Sequence, residues 1–305
     1  MLNTTRRGFL LRSAAVAAAP LGLANIARAI EPIGRTRPSH LKLSIAAYSY
    51  RDFLKGTKDR KPSMDLFAFV DLAADMGLDA VELTSYYFPE NVGKAYLHKL
   101  KQHAFDLGLD ISGTSVGNNF CVAPGPDRDK QLALVRTWVD NAAELDAPVI
   151  RIFAGTKGKD QSEAEAVERC IQGIKDSLPY AIEKGVTLAL ENHGGITATP
   201  DQILKLVKAV DSPNFGVNLD TGNFHGADPY ADLAKLAPYA VNVQVKTEIS
   251  RGSKPKEEAD LSRVVGVLRD ARYSGYVVLE YEAKEDPMKA IPRHLKTLRS
   301  LISSG

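Results

Sequence analysis

VTLALENHGG, at residues 186–195, is a short apolar run that ends in a polar group, the carboxylate of Glu191. It is the first of four apolar runs that end in a carboxylate or an amide. The other three are FGVNLDTGN at 215–223 with Asp220, VNVQVKTE at 241–248 with Gln244, and GYVVLEYE at 275–282 with Glu280. Successive polar groups are 29, 24 and 36 residues apart, about one strand plus one helix each time. In a closed barrel of parallel strands, this spacing brings all four groups to the carboxyl-terminal rim, where barrel enzymes keep their chemistry.

Strand-like and helix-like segments alternate along the rest of the chain. Amphipathic patterns separate the apolar runs, and in the pattern at 162–185 we expect Pro179 to kink or break the helix near its last turns. The first apolar run of the chain, at 43–48, is not followed by the phosphate-binding glycines that follow the first strand of an open doubly wound sheet. The alternation therefore predicts an α/β fold, a single (β/α)8 TIM barrel. The predicted strands cover residues 43–48, 80–83, 110–113, 149–153, 186–190, 216–219, 241–245 and 276–279.

The first 29 residues have the features of an export signal rather than of the fold. TRRGFL at 5–10 is a twin-arginine pattern, an apolar stretch follows at 14–26, and Ala-Arg-Ala at 27–29 has the form of a cleavage site. The apolar stretch is short for a bilayer span, which argues against a stable membrane anchor. We expect a signal peptide at 1–29, a barrel domain at 30–305, transport by the twin-arginine translocase, and a periplasmic or extracellular location.

Charge and cysteine content limit the function further. The formal charge of +2 includes four arginines of the predicted signal, and without them the balance is −2. The chain has no basic stripe, so we expect no nucleic-acid partner. Two cysteines, Cys121 and Cys170, could pair in an oxidising compartment, but the sequence leaves open whether they meet.

The strand-end motifs, taken together and in order, resemble the xylose-isomerase-like barrel family of sugar and sugar-phosphate isomerases and epimerases. The similarity covers nearly all of residues 41–300. The barrel of this family is shared with endonuclease IV, which holds several zinc ions through extra histidines, but Asn223 stands where that enzyme has one of them. The resemblance therefore points away from DNA repair. Its motifs are VEL with Glu82, VIRIFAG with Arg151, LENHGG, NLDTGN, VQVK and LEYE.

The resemblance also implies a metal site. The family places Glu, Asp, His and Glu at the ends of strands five to eight, and Glu191, Asp220 and Glu280 match this pattern. Gln244 stands where histidine is usual, and an amide oxygen is a harder and weaker ligand than imidazole. We therefore expect a divalent ion, Mn²⁺, Mg²⁺ or Co²⁺ rather than Zn²⁺, bound by these four residues.

Isomerising a sugar moves a proton next to a carbonyl group, which requires stabilisation of an enediolate and two proton-transferring groups. We expect Glu191 and Glu280 to exchange the proton and Lys246 to stabilise negative charge, with a polar or proton-transfer role for His193. For most of these residues, a helix cap, a salt bridge or a core position is the competing interpretation. The predicted substrate-binding residues are Glu82, Arg151, Asn223, His225 and Tyr48.

The resemblance favours a metal-dependent sugar isomerase or epimerase in carbohydrate metabolism. Because phosphorylated sugars are scarce outside the inner membrane, we expect a free or modified sugar as substrate. One alternative is a lyase that eliminates from 3-keto-glycosides with the same base, and another is a non-catalytic sugar-binding barrel. The sequence does not specify the sugar or the metal, and it leaves open a homo-oligomer, the state common in this family.

Overall fold

Eight parallel strands close into a barrel in which each strand pairs with two neighbours. The structure, a computed structural model, describes residues 31–304. The barrel strands are β1 (Leu41–Ala46), β2 (Ala80–Thr84), β3 (Asp110–Ser115), β4 (Val149–Ile152), β5 (Thr187–Glu191), β6 (Phe215–Asp220), β7 (Ala240–Val245) and β10 (Gly275–Leu279). Around the barrel, the strand order is β1-β10-β7-β6-β5-β4-β3-β2, which confirms the predicted (β/α)8 TIM barrel.

The strands are buried on both faces, which explains their apolar composition. Every residue of β2, β4 and β6 is buried, because helices cover the outer face of the barrel while side chains fill its interior. The described helices are α1 (Arg51–Leu54), α2 (Leu66–Asp75), α3 (Lys94–Asp106), α4 (Pro126–Glu144), α5 (Glu163–Glu183), α6 (Pro200–Val210), α7 (Pro229–Leu236), α8 (Leu261–Asp270) and α9 (Pro287–Ser303).

Local sequence signals fix several helix starts. Ser162 and Glu165 form a reciprocal capping box at the start of α5, and Thr199 and Gln202 form another at the start of α6. Such boxes satisfy two backbone N–H groups that have no partner within the helix. They set the points at which the chain turns away from the barrel rim.

The predicted helix break at Pro179 is wrong, because α5 continues through it to Glu183. A proline removes the hydrogen bond to the carbonyl four residues earlier, which here belongs to Lys175. Both Lys175 and Pro179 lie on the exposed side of the helix, where water can bond to that carbonyl. The helix therefore tolerates the proline close to its end.

A small hairpin that the sequence pattern did not indicate follows β7. Its strands are β8 (Glu248–Ile249) and β9 (Glu257–Glu258), and the turn between them includes residues 252–256, which are exposed. The Ala259 N–H donates to the Thr247 carbonyl and the Gly252 N–H donates to the His225 carbonyl. The hairpin thus lies beside the carboxyl-terminal ends of β6 and β7.

The segment at 31–40 runs across the opposite, amino-terminal end of the barrel. The Ile33 N–H donates to the carbonyl of Pro238, which precedes β7. The His40 carbonyl accepts from the N–H of Gly275, the first residue of β10. The Arg35 guanidinium donates to the Ala240 carbonyl at the start of β7. The first described residues are therefore held at the amino-terminal face.

Three sequence expectations concern regions outside or apart from the barrel rim. The predicted signal peptide lies outside the described residues. Within 31–304, no helix combines the length and apolar character needed to cross a membrane. Cys121 and Cys170 are both buried and both free, so they form no disulfide in the structure.

Candidate functional site

The four predicted strand-end groups lie on adjacent barrel strands. Glu191 and Asp220 are the last residues of β5 and β6, Gln244 is the penultimate residue of β7, and Glu280 directly follows β10. The strand order places β5, β6, β7 and β10 side by side, and Asp220 pairs in register with Gln244. All four side chains are buried. The structure therefore brings the predicted groups to one rim, as the spacing predicts.

Lys246 is the centre of the charged cluster at this rim. Its Nζ lies 3.3 Å from Asp220 Oδ2 and 3.0 Å from Glu282 Oε2, and it also contacts Glu280 Oε2. Its side chain is only 8 % exposed. Burial alone would lower the pKa of Lys246, but the surrounding carboxylates outweigh burial and raise the pKa well above its ordinary value. Lys246 is therefore a buried, permanently charged ammonium.

Glu191 has its own cationic partner. Arg151, from β4, places Nε 2.9 Å from Glu191 Oε2, and Asn223 Nδ2 donates to Glu191 Oε1 at 3.1 Å. The Arg151–Glu191 contact is an ion pair without good hydrogen-bond alignment, since Nε has no hydrogen-bond partner by geometry. Burial raises the pKa of Glu191 well above its ordinary value, although Arg151 acts in the opposite direction. Glu191 is thus a carboxyl group that readily accepts a proton.

Gln244 belongs to a network of amides inside the barrel. Its Oε1 accepts from Asn218 Nδ2 at 2.7 Å, and its Nε2 donates to Glu82 Oε1 at 2.6 Å. Asn242 Nδ2 donates both to Glu82 Oε2, at 2.8 Å, and to Asn218 Oδ1, at 2.7 Å. The amide of Gln244 is therefore oriented by two neighbours, Asn218 on β6 and Glu82 on β2, which Asn242 on β7 links to each other. Glu82 lies beneath the rim as the acceptor of this network.

Glu82 should make stability depend on pH. Burial raises its pKa from 4.5 to about 7, so the folded protein binds its proton more tightly than the unfolded chain does. The stabilisation is complete below the unfolded pKa and is lost as pH rises through 7. Between pH 5 and pH 8 the free energy of unfolding should fall by about 2 kcal/mol because of this group.

Urea unfolding of Glu82→Gln should show a smaller fall between these pH values, whereas the exposed control Glu257→Gln should match the wild type. An unchanged fall in Glu82→Gln would contradict the assignment.

Asp220 is held by the turns that follow β5 and β6. Asn192 accepts from the Asp220 N–H and donates to the Asp220 carbonyl, both at 2.8 Å, and the Gly222 N–H donates to Asp220 Oδ1 at 2.8 Å. Asp220 Oδ2 is buried and accepts no hydrogen bond from residues 31–304, and it lies 3.3 Å from the Lys246 ammonium. Burial raises the pKa of Asp220 above its ordinary value. One carboxylate oxygen is thus fixed by the backbone while the other points to the cluster.

The remaining predicted residues lie at different distances from the cluster. His193 packs against Phe153 with ring centroids 4.5 Å apart, and both line a cavity of about 500 Å³ beside the rim. Tyr48 is half-buried near Arg51, and burial and then Glu282 raise the pKa of its hydroxyl. His225 is exposed, and the structure gives its side chain no contact with the carboxylates within 31–304. A substrate-binding role for His225 stays a prediction.

Comparison with known proteins identifies the family. The model of the family described as the xylose isomerase-like TIM barrel matches residues 70–301. The chain belongs to this family. It is 26% identical to 3-oxo-isoapionate decarboxylase of Pectobacterium atrosepticum over 67% of this chain and 68% of the relative.

Two solved structures show the same fold as this xylose isomerase-like barrel. D-psicose 3-epimerase from Clostridium cellulolyticum, solved with D-tagatose, superposes with a TM-score of 0.68 at 19% identity, covering 86% of this chain and 99% of that one. A xylose isomerase domain protein from Planctomyces limnophilus gives a TM-score of 0.67 at 17% identity, covering 88% and 100%. At these identities the likeness concerns the fold.

Sequence analysis missed three site residues of this xylose isomerase-like barrel. Glu282 follows Glu280 by two positions, and the two-residue period of an extended chain could have indicated that it faces the same side. Asn218 and Asn242 occupy alternate positions on apolar strands, where a buried amide signals a hydrogen-bond partner in the barrel interior. Neither position resembles a strand end, so the strand-end pattern did not include them.

The predicted ligands of the divalent ion are engaged with other groups of this barrel. In the described part of the chain, no three His, Cys, Asp or Glu side chains are arranged to hold a metal ion. Glu191 is paired with Arg151, the Gln244 oxygen accepts from Asn218, and the remaining carboxylates surround Lys246. As arranged, the predicted ligand set does not fit a divalent ion. The metal stays a prediction from the sequence alone.

Proposed function

We propose that this protein is an enzyme that moves a proton next to the carbonyl group of an unphosphorylated sugar, as an isomerase or epimerase. One observation carries this proposal. A buried ammonium, Lys246, lies against Glu280 at the carboxyl-terminal rim, while Glu191 lies on the same rim three strands away. A cation that stabilises an enediolate and carboxylates on two sides of the mouth are the groups that such a proton transfer needs.

The chain's own residues support each step. Glu282 is the most exposed partner of Lys246, with 31 % of its side chain accessible, so a substrate carbonyl oxygen can replace it on the ammonium. Glu280 or Glu191 then takes the proton from the neighbouring carbon, and the electron pair of the broken C–H bond forms an enediolate whose oxygen bonds to Lys246. Return of a proton to the opposite face of that carbon epimerises it. Return to the former carbonyl carbon isomerises the sugar, provided that the proton of the neighbouring hydroxyl passes to the former carbonyl oxygen as the new carbonyl forms.

Arg151 and Asn223 position Glu191 for this exchange. Each holds one of its two carboxylate oxygens. Burial raises the pKa of Glu191 well above its ordinary value, which makes it a stronger base and suits it to accept and return a proton. The D-psicose 3-epimerase that shares this fold supports a sugar as the substrate class.

A lyase is the second candidate, and two observations favour it. The relative at 26% identity is named 3-oxo-isoapionate decarboxylase, and loss of carbon dioxide beside a ketone leaves an enolate like the one above. The cavity of about 500 Å³ next to His193 has room for a group attached to the reacting sugar, within the usual range of ligand pockets. Elimination from a 3-keto-glycoside would break the C–O bond to that group after proton removal.

Proton NMR in D₂O tests the function. The purified protein is incubated with free ketoses, aldoses and 3-keto-glycosides. We expect loss of one C–H signal next to the carbonyl by deuterium exchange, without bond cleavage. Release of the attached group instead would support the lyase. Substrate binding with neither exchange nor cleavage would overturn the enzyme proposal in favour of a non-catalytic sugar-binding barrel.

We also propose that the protein acts outside the cytoplasm after twin-arginine transport. The arginine pair and the cleavage-like Ala-Arg-Ala at 27–29 support this. Amino-terminal sequencing of the exported protein should then begin at Ile30. A mature chain that begins at Met1 in the cytoplasmic fraction would contradict both the boundary and the location.

A further inference from the structure

Each residue predicted to bind a divalent ion already has a partner within the chain. Glu191 pairs with Arg151, at 2.9 Å, and Asp220 and Glu280 contact the Lys246 ammonium. Gln244 uses both ends of its amide, accepting from Asn218 at 2.7 Å and donating to Glu82 at 2.6 Å. Turning the Gln244 oxygen toward the rim would break both bonds in a buried site, which is costly. The oxygen of the predicted fourth ligand is therefore already engaged within the barrel.

The Lys246 ammonium occupies the position between carboxylates that a bound cation would need. It contacts Asp220, Glu280 and Glu282, and an ammonium has three hydrogens to share among three acceptors. The buried Asp220 Oδ2 accepts no hydrogen bond from residues 31–304 and lies 3.3 Å from this cation. The negative charges at this point are thus gathered around one internal positive charge.

The position of Lys246 is set by its surroundings. The backbone N–H of Lys246 donates to Thr221 Oγ1 at 2.9 Å. A Cβ added at Gly222 would lie 2.6 Å from Lys246 Cγ and 3.0 Å from the Glu248 carbonyl oxygen. The turn after β6 therefore needs a glycine to leave room for the lysine stem. The stem lies directly against this turn, which limits the space in which the side chain can move.

We propose that Lys246 is the resident cation of this site and takes the place of a divalent ion. A second cation next to a buried ammonium would be strongly repelled, so the wild-type site should not bind a divalent metal. No three acidic side chains within 31–304 are arranged to hold a metal ion while the ammonium is present. Without it, Asp220, Glu280 and Glu282 would lose the charge they share and could rearrange around Mn²⁺, which accepts such oxygen ligands. The role of this cation in enediolate stabilisation rests on the proposed function, whereas its effect on metal binding does not.

A Mn²⁺ titration tests the proposal. The protein is first dialysed against a chelator, and electron paramagnetic resonance then measures the free Mn²⁺ at each addition. The wild type should leave all Mn²⁺ free up to about 1 mM, a concentration at which weak carboxylate sites are occupied. Lys246→Met should bind one Mn²⁺ with an affinity at least ~10-fold higher than that of the wild type. Lys256→Met removes a nearby charge that does not contact Asp220 or Glu280, and it should behave like the wild type.

Two outcomes would overturn the proposal. Stoichiometric Mn²⁺ binding by the wild type at micromolar concentration would do so whatever the variants show, and this measurement stands even if Lys246→Met fails to fold. A folded Lys246→Met protein that binds no Mn²⁺ would refute the competition between ammonium and metal. Absence of deuterium exchange on every sugar would refute the proposed function and leave these binding results unaffected.

Discussion

Replacing Lys246 by methionine is expected to lower kcat for deuterium exchange by about 10²–10³, the usual loss when a donor to a developing oxyanion is removed. Methionine keeps much of the aliphatic stem and removes the charge that lies against Asp220, Glu280 and Glu282. The enediolate then loses its stabilising cation, and Glu280 loses its contact with a buried positive charge. The effect should fall on kcat more than on KM, because the interaction strengthens as negative charge develops.

The assay needs a chelator and two further variants. With a chelator present, metal recruited by the empty cluster cannot restore activity and mask the loss. Lys246→Arg should keep part of the rate, because it keeps the charge but not the compact geometry of an ammonium. Lys256→Met should retain most of the wild-type activity, since Lys256 is exposed and forms no salt bridge with Asp220, Glu280 or Glu282 within 31–304. If Lys246→Met kept more than about a tenth of the wild-type rate, oxyanion stabilisation by this residue would be excluded.

Arg151→Met should be strongly destabilising. The Arg151–Glu191 pair has side chains 5 % exposed on both sides, and Arg151 also donates to the Val116 carbonyl at 2.8 Å. Removing one partner of a buried pair leaves an uncompensated charge and typically costs about 3–5 kcal/mol. Urea unfolding of the wild type and the variant measures the difference in free energy directly.

A rescue variant separates the unpaired charge from the loss of packing. Arg151→Met combined with Glu191→Gln removes both charges, so it should recover much of the lost stability. The exposed pair Lys42–Asp110, whose side chains are 40% and 55% accessible, provides the control. Lys42→Met should cost less than about 1 kcal/mol. If the double variant were no more stable than Arg151→Met, the unpaired carboxylate could not be the cause.

The barrel could be predicted because its strands are buried on both faces and its helices on one. That difference appears in the sequence as continuous apolar runs between amphipathic patterns. The positions of Glu191, Asp220 and Glu280 at one rim followed from the same regularity, since parallel strands end at the same side. The tolerance of Pro179 could not be predicted, because it depends on which side of α5 faces solvent.

The partners of the rim residues could not be predicted from the spacing. The orientation of Gln244 is set by Asn218 and Glu82, which come from strands that are distant in sequence. Lys246 lies on the face that its position relative to Gln244 predicts. However, only the packing of Gly222 against its stem places the ammonium between three carboxylates. A pattern of ligand-type residues therefore indicates a polar site but not whether a metal or a lysine holds it together.

The attachment of residues 31–40 to the base of the barrel has a practical consequence. A chain that reaches Ile33 meets Pro238 and Ala240 at the ends of the strands farthest from Lys246. A surface linker joined directly ahead of Glu31 would therefore enter the protein at the amino-terminal face of the barrel, away from the rim that carries Lys246. A chain that begins at Glu31 can be immobilised through this linker with the proposed sugar site directed into solution, so sugar binding can be measured on a sensor surface without blocking access.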